Sequence, residues 1–247
     1  VRAMAPAPSL DPLRRGVSWG RILVFVLLVG GTAVIFRQGF VAPPFNPLPA
    51  IDLARAHPWF VDWRLAAIKR SPQACAGTLK APHADAEPIA DKVEPNGCGW
   101  MNGVSLSAAG GARVRYAAVT CEVAVALALW LEHDVQPLAR EMLGTSVASV
   151  QSLGSYACRN IMGTALLRKV RSQHAYANAV DVAGFVLKDG RTISIRRDWP
   201  GSAAEARFLR AVHQRACAYF RVALSPDFNA AHHDHFHFDR GPFSRCK

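Results

Sequence analysis

The chain has 247 residues, of which 51% are hydrophobic, 19% charged and 9% aromatic, which excludes a wholly disordered chain and any collagen-like or low-complexity fibre. Lysine and arginine number 29 against 18 acidic residues, a net charge of +11 whose field attracts an anionic partner such as nucleic acid, phospholipid or an acidic wall polymer without choosing among them. Such a length holds one folded domain of ordinary size with appended segments, and six cysteines, even in number and with no Cys-x-x-Cys pair, are too few for a disulfide scaffold.

The N-terminus sets the compartment. From Ile22 to Phe36 the chain reads ILVFVLLVGGTAVIF, in which Thr32 is the only polar side chain. Counted from Val17 the run reaches the roughly 20 helical residues that span a bilayer, with Arg21 near one end where it snorkels to the interface. Arg2, Arg14 and Arg15 precede it. The positive-inside rule therefore keeps residues 1–16 in the cytoplasm, makes residues 17–37 a single transmembrane anchor and exports the rest. A cleaved signal peptide is the competing reading, but RQGFVAPPFNP after the apolar run offers no convincing small-x-small site. An oxidising exterior makes three disulfides among Cys75, Cys98, Cys121, Cys158, Cys217 and Cys246 the expectation, with fifteen connectivities open.

Residues 38–58 carry Pro43, Pro44, Pro47, Pro49 and Pro58 with little periodicity, which reads as a semi-rigid tether to a domain over 59–247. No internal repeat is present. A Pro- and Ala-rich loop is expected around residues 81–97, and the first strong element at Thr120, where TCEVAVALALWLEH is apolar almost all round as a buried helix is, bounded by Pro137. Between Ala179 and Arg197 two β-rich runs flank Lys188, Asp189, Gly190 and Arg191, an antiparallel hairpin with an Asp-Gly turn. Ser202 and Glu205 form a capping box ahead of a helix whose apolar face is Phe208, Leu209, Val212, Ala216 and Phe220. Last comes NAAHHDHFHFDRG, where a strand buries Phe236 and Phe238 and presents His235, His237 and Asp239 on its other face.

This last segment carries the chemistry, because His232, His233, His235 and His237 fall within six residues. Upstream, His174 and Asp181 are seven residues apart. On a helix they cannot share an ion, since seven residues rise about 10 Å and zinc ligands lie about 2 Å from one metal. A bend through a loop is needed, with Asp181 on the first strand of the hairpin and His174 folded over it, both facing the His-x-His strand. His57, His83, His133 and His213 have no comparable setting and read as structural or surface residues. The cysteines read as paired, not as thiolate nucleophiles.

Together the two segments resemble the metallopeptidase group of lysostaphin, the D-Ala-D-Ala peptidases and the Sonic hedgehog N-terminal domain, whose pattern is Ser-x-His-x-x-Gly-x-Ala-x-Asp followed by His-x-His. Ser172, His174, Ala179, Asp181, His235 and His237 match it, and Ala177 stands where the group has glycine. From about residue 75 to the end, the CGW, TCEVA, YACR, HA-x-x-NA-x-D and HHDHFHFD stretches resemble the bacterial extensin-like C-terminal domain family. The resemblance implies zinc held by His174, Asp181 and His237, with His235 as general base or oxyanion stabiliser and His232 in reserve. There is no Glu-x-x-His to supply a glutamate base. Asp239 or Asp234 is placed to orient an imidazole.

The expected fold is α+β, a small antiparallel sheet carrying a zinc site and flanked by helices, behind an N-terminal transmembrane helix in the inner membrane. The resemblance implies an endopeptidase or carboxypeptidase that cuts peptidoglycan amide bonds in the periplasm. The alternative is a catalytically inactive, zinc-containing module that binds peptidoglycan or the envelope. Nucleic acid is not an expected partner of an exported domain.

Overall fold

The computed structural model describes residues 19–38, 40–41, 50–56, 59–162 and 167–247. Helix α1 (Trp19–Arg37) buries none of its residues and is, among the described residues, the one helix long and apolar enough to cross a membrane. Its 19 residues rise about 28 Å, close to the thickness of a bilayer's hydrocarbon core. Residues 1–16, the first two residues of the expected span, and 39, 42–49, 57 and 58 of the expected tether lie outside the described residues.

Then follow α2 (Val61–Ile68), α3 (Pro72–Thr78), β1 (Ala84–Ile89), the small pair β2 (Lys92–Val93) and β3 (Gly99–Trp100), β4 (Gly103–Ala109), β5 (Ala112–Thr120), α4 (Cys121–Trp130), α5 (Gln136–Leu143), β6 (Val147–Gly154), β7 (Ala179–Leu187), β8 (Thr192–Ser194), α6 (Ile195–Asp198), α7 (Ala204–Ala216), β9 (Val222–Leu224), β10 (Phe236–Asp239) and β11 (Arg245–Cys246). The fold is α+β, but the sheet is not small. Nine strands join in the order β1-β4-β5-β6-β7-β10-β9-β11, with β8 also on β7. Nor is it wholly antiparallel, since β5 meets β6 and β9 meets β11 in parallel.

The extra strands come from the stretch before Thr120. Residues 84–89 are the edge strand β1, not loop, and β4 and β5 form a hairpin before the first long helix of the body. In β5, Ala112, Val114, Tyr116 and Ala118 are buried while Arg113, Arg115 and Ala117 face solvent, the period of two that half-buried strands show. The turn between them needs glycine. Gly110 and Gly111 sit at φ +53° and +71°, and a Cβ on Gly110 would fall 2.5 Å from Glu132 N.

Helix α4 is buried on every side, as its composition predicts. The sheet lies under one side, while α2 and α3 pack on it and the Cys75–Cys121 disulfide joins it to α3. Pro137 does not end the helix. A π-helical turn at Leu131–Val135 carries it into α5, and Pro137 falls in the first turn of α5, where the backbone N–H it lacks has least use. Cys98–Cys158 and Cys217–Cys246 are the other disulfides, so no cysteine is free. The expected hairpin pairs β7 with β8. The capping box does not form: Ala203 is the N-cap of α7, and Glu205 lies 3.8 Å from Arg191 instead.

Aromatic rings bind the helices to the sheet. Trp130 meets Phe185 and Phe238 at 6.1 and 5.1 Å between centroids, and Phe208 of α7 meets Phe185 at 5.6 Å. The body begins earlier than residue 59, because Ile51 and Leu53 of the expected tether are buried in this core and the Leu53 carbonyl accepts from His133 Nε2 at 2.8 Å.

His213 of α7 is also buried, at 7% exposure, against Phe236 and Phe238. Burial pushes its pKa down to about 4, because the charged imidazolium loses its hydration there. The folded state then binds fewer protons than the unfolded chain, so stability is full above about pH 6.5 and falls as pH drops towards 4, by up to about 3 kcal/mol. Denaturant melts at a series of pH values should show this loss in wild type, smaller by that amount in His213→Gln. Parallel pH dependences of the two proteins would disprove it.

Candidate metal centre

The site is built where three chain segments meet. Strand β10 pairs antiparallel with β7 in a register that sets His237 opposite Asp181, Phe236 opposite Val182 and Phe238 opposite Val180. The apolar pairs are fully buried, which turns His237 and Asp181 to the sheet's other face. His174 arrives from a 3-10 turn at Gln173–Tyr176 that folds over this face.

The turn bends back because Ala177 adopts φ +49°, the left-handed conformation for which glycine is the usual residue. Its neighbours hold it there. The Ala177 carbonyl accepts from Thr120 N at 2.8 Å, Thr120 Oγ1 donates to Asn178 Oδ1 at 2.9 Å, and Asn178 Nδ2 donates to Gln173 Oε1 at 2.9 Å. Ser172 caps the turn, its hydroxyl accepting from His174 N.

His174 Nε2, Asp181 Oδ1 and His237 Nδ1 form a triangle whose three edges are each 3.1 Å. Among the described residues these side chains are one of two groups whose donor atoms all lie within 4.8 Å of one another. The other, Glu94 with Cys98 and Cys158, has both sulfurs locked in a disulfide.

The outer nitrogens decide what the triangle can hold. His174 Nδ1 lies 3.2 Å from the Ser155 carbonyl, and His237 Nε2 lies 3.0 Å from Asp239 Oδ2. Both partners only accept, so each outer nitrogen carries a proton, and each inner nitrogen offers a lone pair whenever its imidazole is neutral. Two lone pairs and a carboxylate oxygen converging on one point repel unless a proton or a cation lies between them. A triangle of 3.1 Å edges has its corners about 1.8 Å from its centre, so these three atoms could together hold one small divalent cation. Two imidazoles and one carboxylate are a donor set that would suit zinc.

Charges around the triangle agree. Burial raises the Asp181 carboxyl, but hydrogen bonds and charge from His174 and His237 outweigh it and hold the group well below the usual carboxylate range. Burial lowers His237, yet Asp181 and Asp239 on either side lift it to about 9.

His235 precedes β10 and does not join the triangle. Its Nδ1 donates to Asp234 Oδ1 at 2.8 Å, which leaves the Nε2 lone pair free 3.7 Å from Asp181 Oδ1. His232, in a 3-10 turn at Ala230–His232, has its Nδ1 2.7 Å from Asn229 Oδ1 and its ring 5.3 Å from that of His235. Burial, then the charges of His237 and His235, push it down to about 4. His233 is exposed and turned to the Ala230 carbonyl, outside the cluster.

The family model "Extensin-like protein C-terminus" matches residues 73–247. The chain belongs to this family. No curated protein and no solved structure matches it. The matched region of the extensin-like protein holds all three corners of the triangle together with His232 and His235.

Sequence reading selected these five residues and missed their supports. Ser155, Thr120 and Asn229 act through a carbonyl, a turn and a cap, and no motif marks such roles. Asp239 was readable as an orienting group, because it alternates with His237 along a strand.

A divalent cation entering the triangle must displace the proton that His237 holds below about pH 9, so binding should release close to one proton at neutral pH and weaken about tenfold per unit as pH falls. Titration calorimetry in two buffers of different ionisation enthalpy measures the count. Zero protons released would contradict this picture of His237.

Proposed function

We propose that the extensin-like body is a zinc-dependent peptidase acting on peptidoglycan peptides. The observation that carries this reading is the triangle of His174 Nε2, Asp181 Oδ1 and His237 Nδ1, with the free Nε2 of His235 beside it. Bound there, zinc would supply Lewis acidity, polarising a scissile carbonyl and making water nucleophilic near neutral pH. The chain's own groups do the rest. His174 and His237 keep their inner lone pairs directed inward because Ser155 and Asp239 hold the outer protons. His235 Nε2 accepts the proton of attacking water and returns it to the leaving amine, while Asp234 on Nδ1 steadies the imidazolium formed between the two steps. His232, beside His235, is the reserve base.

In this reading α1 is an uncleaved inner-membrane anchor with its N-terminus in the cytoplasm and the body in the periplasm. The three disulfides and the six-cysteine count suit an oxidising compartment. Peptidoglycan is the polymer within reach there, and a chain of net charge +11 is drawn to an acidic wall.

The absence of a Glu-x-x-His glutamate favours a second reading, an inactive module that keeps the zinc and binds the wall. Elemental analysis and digestion of purified sacculi separate the two. His174→Ala, Asp181→Ala and His237→Ala should each abolish stoichiometric zinc, and full zinc in all three would sink the ligand assignment. His235→Ala should keep zinc and fold and lose about 10² to 10⁴ in rate. Wild type that releases no muropeptide at full zinc loading establishes the binding module in place of the peptidase.

A further inference from the structure

Away from the metal centre, basic side chains gather where α1 meets the body. The last carbonyls of α1 are capped by the body's arginines: Arg221 Nη2 donates to Arg37 O at 2.9 Å and Arg70 Nε to Gln38 O at 3.2 Å. Arg37 Nη2 donates to Ser244 Oγ at 2.8 Å, and Phe36 stacks on Trp63 of α2 at 5.6 Å. The end of the apolar helix is thereby fastened to one face of the domain.

A cleft opens at this junction, lined by Arg37, Asp62, Phe220, Arg221, Arg240 and Arg245. Asp62 takes most of the internal pairing, bonded to Arg221 Nε at 2.7 Å and Arg240 Nη2 at 2.8 Å with Arg37 Nε at 3.9 Å, and Glu122 pairs Arg240 from beneath at 2.8 Å. Lys69 joins the cluster. Burial lowers its ammonium below the ordinary lysine value, and the nearby cations of Arg221, Arg70 and Arg240 add to this while Glu122 opposes it. Arg37, Arg221, Arg240 and Lys69 therefore share two carboxylates, an excess of positive charge crowded at one spot.

Aromatic rings surround the same place. Trp59, Phe60 and Phe40 are 83%, 60% and 61% exposed, and Arg70 lies over the Phe40 ring at 4.4 Å. Phe60 holds φ +55°, a conformation costly for a bulky residue that keeps its ring outside the core. Exposed aromatics with lysine and arginine at the end of a spanning helix are what the headgroup layer of a bilayer selects.

We propose that this cluster binds the phosphate of anionic phospholipids in the leaflet from which α1 emerges, seating the body flat against the membrane. The inference rests on α1 being a membrane span. A direct electrostatic seat then sets the body's distance from the bilayer, and the body's orientation is defined by the face that carries Arg37, Lys69 and Arg245.

The test uses the full chain reconstituted in nanodiscs of phosphatidylglycerol or of phosphatidylcholine, read by hydrogen exchange over residues 59–70 and 217–247. Exchange should be at least about tenfold slower in the anionic discs, and the doubly substituted Lys69→Gln/Arg245→Gln chain should lose most of that difference at unchanged melting temperature. Arg245→Glu serves as the second variant, since its guanidinium touches only the Phe228 ring at 5.5 Å among the side chains described. Equal exchange in the two lipids, with the chain inserted, overturns the proposal and leaves the anchor standing. Protection reproduced by inorganic phosphate in phosphatidylcholine discs also overturns it, assigning the cleft to a free anion. Release of the chain from membranes by alkaline carbonate overturns the anchor reading, and this proposal with it.

Discussion

The register between β10 and β7 is the constraint on which the site depends. Side chains alternate across a strand, so a slip of one residue would carry His237 into the core and bring Phe236 or Phe238 out to solvent. Burying both phenylalanines against Trp130, Phe220 and His213 makes that slip costly by several kcal/mol. The geometry of the triangle is thus enforced from the opposite face of the sheet, by the apolar residues packed there.

Behind the strand stands a buried ion-pair network. Arg240, 1% exposed and next to Asp239, bonds Glu122 at the start of α4 and Asp62 of α2. Removing one partner from such a buried pair typically costs about 3–5 kcal/mol, because the other charge is left desolvated. The same arginine ties the end of the ligand strand to the helical layer and, through Asp62 and Arg221, to the end of α1. One set of charges therefore positions Asp239 behind His237 on one side and holds the end of α1 on the other. The candidate metal centre and the α1 junction are linked by these contacts through Arg240, Asp62 and Arg221.

Within the site, roles are divided by hydrogen-bond partners. His174, His235 and His237 are chemically identical, yet a backbone carbonyl, Asp234 and Asp239 respectively occupy one ring nitrogen of each and so choose which nitrogen keeps a lone pair. Two of those lone pairs meet at Asp181, while the third stays beside it. In the proposed function, that asymmetry would separate an ion-holding role from a proton-accepting one.

Local patterns were enough for much of this. The all-apolar α4, the Asp-Gly hairpin of β7 and β8, the helical face of α7 and the alternation of Phe236 and Phe238 with His237 and Asp239 each follow from periodicity or turn chemistry within about ten residues. The His and Asp types of the site, and their inability to chelate from a helix, were readable in the same way. What lay beyond the sequence was non-local. Whether residues 84–120 paired into β1, β4 and β5 depended on partners across the sheet, and Pro137 stayed inside a helix because a π turn upstream absorbed it. Ser202 offered a capping box that did not form, because α7 starts one residue later with Ala203 as its N-cap. The disulfide connectivity, the Ser155 carbonyl behind His174 and the arginines around the end of α1 involve residues tens to nearly two hundred positions apart. Composition and spacing determine which side chains are available for chemistry; only the folded register, closing loops over such distances, decides which atoms of those side chains face one another.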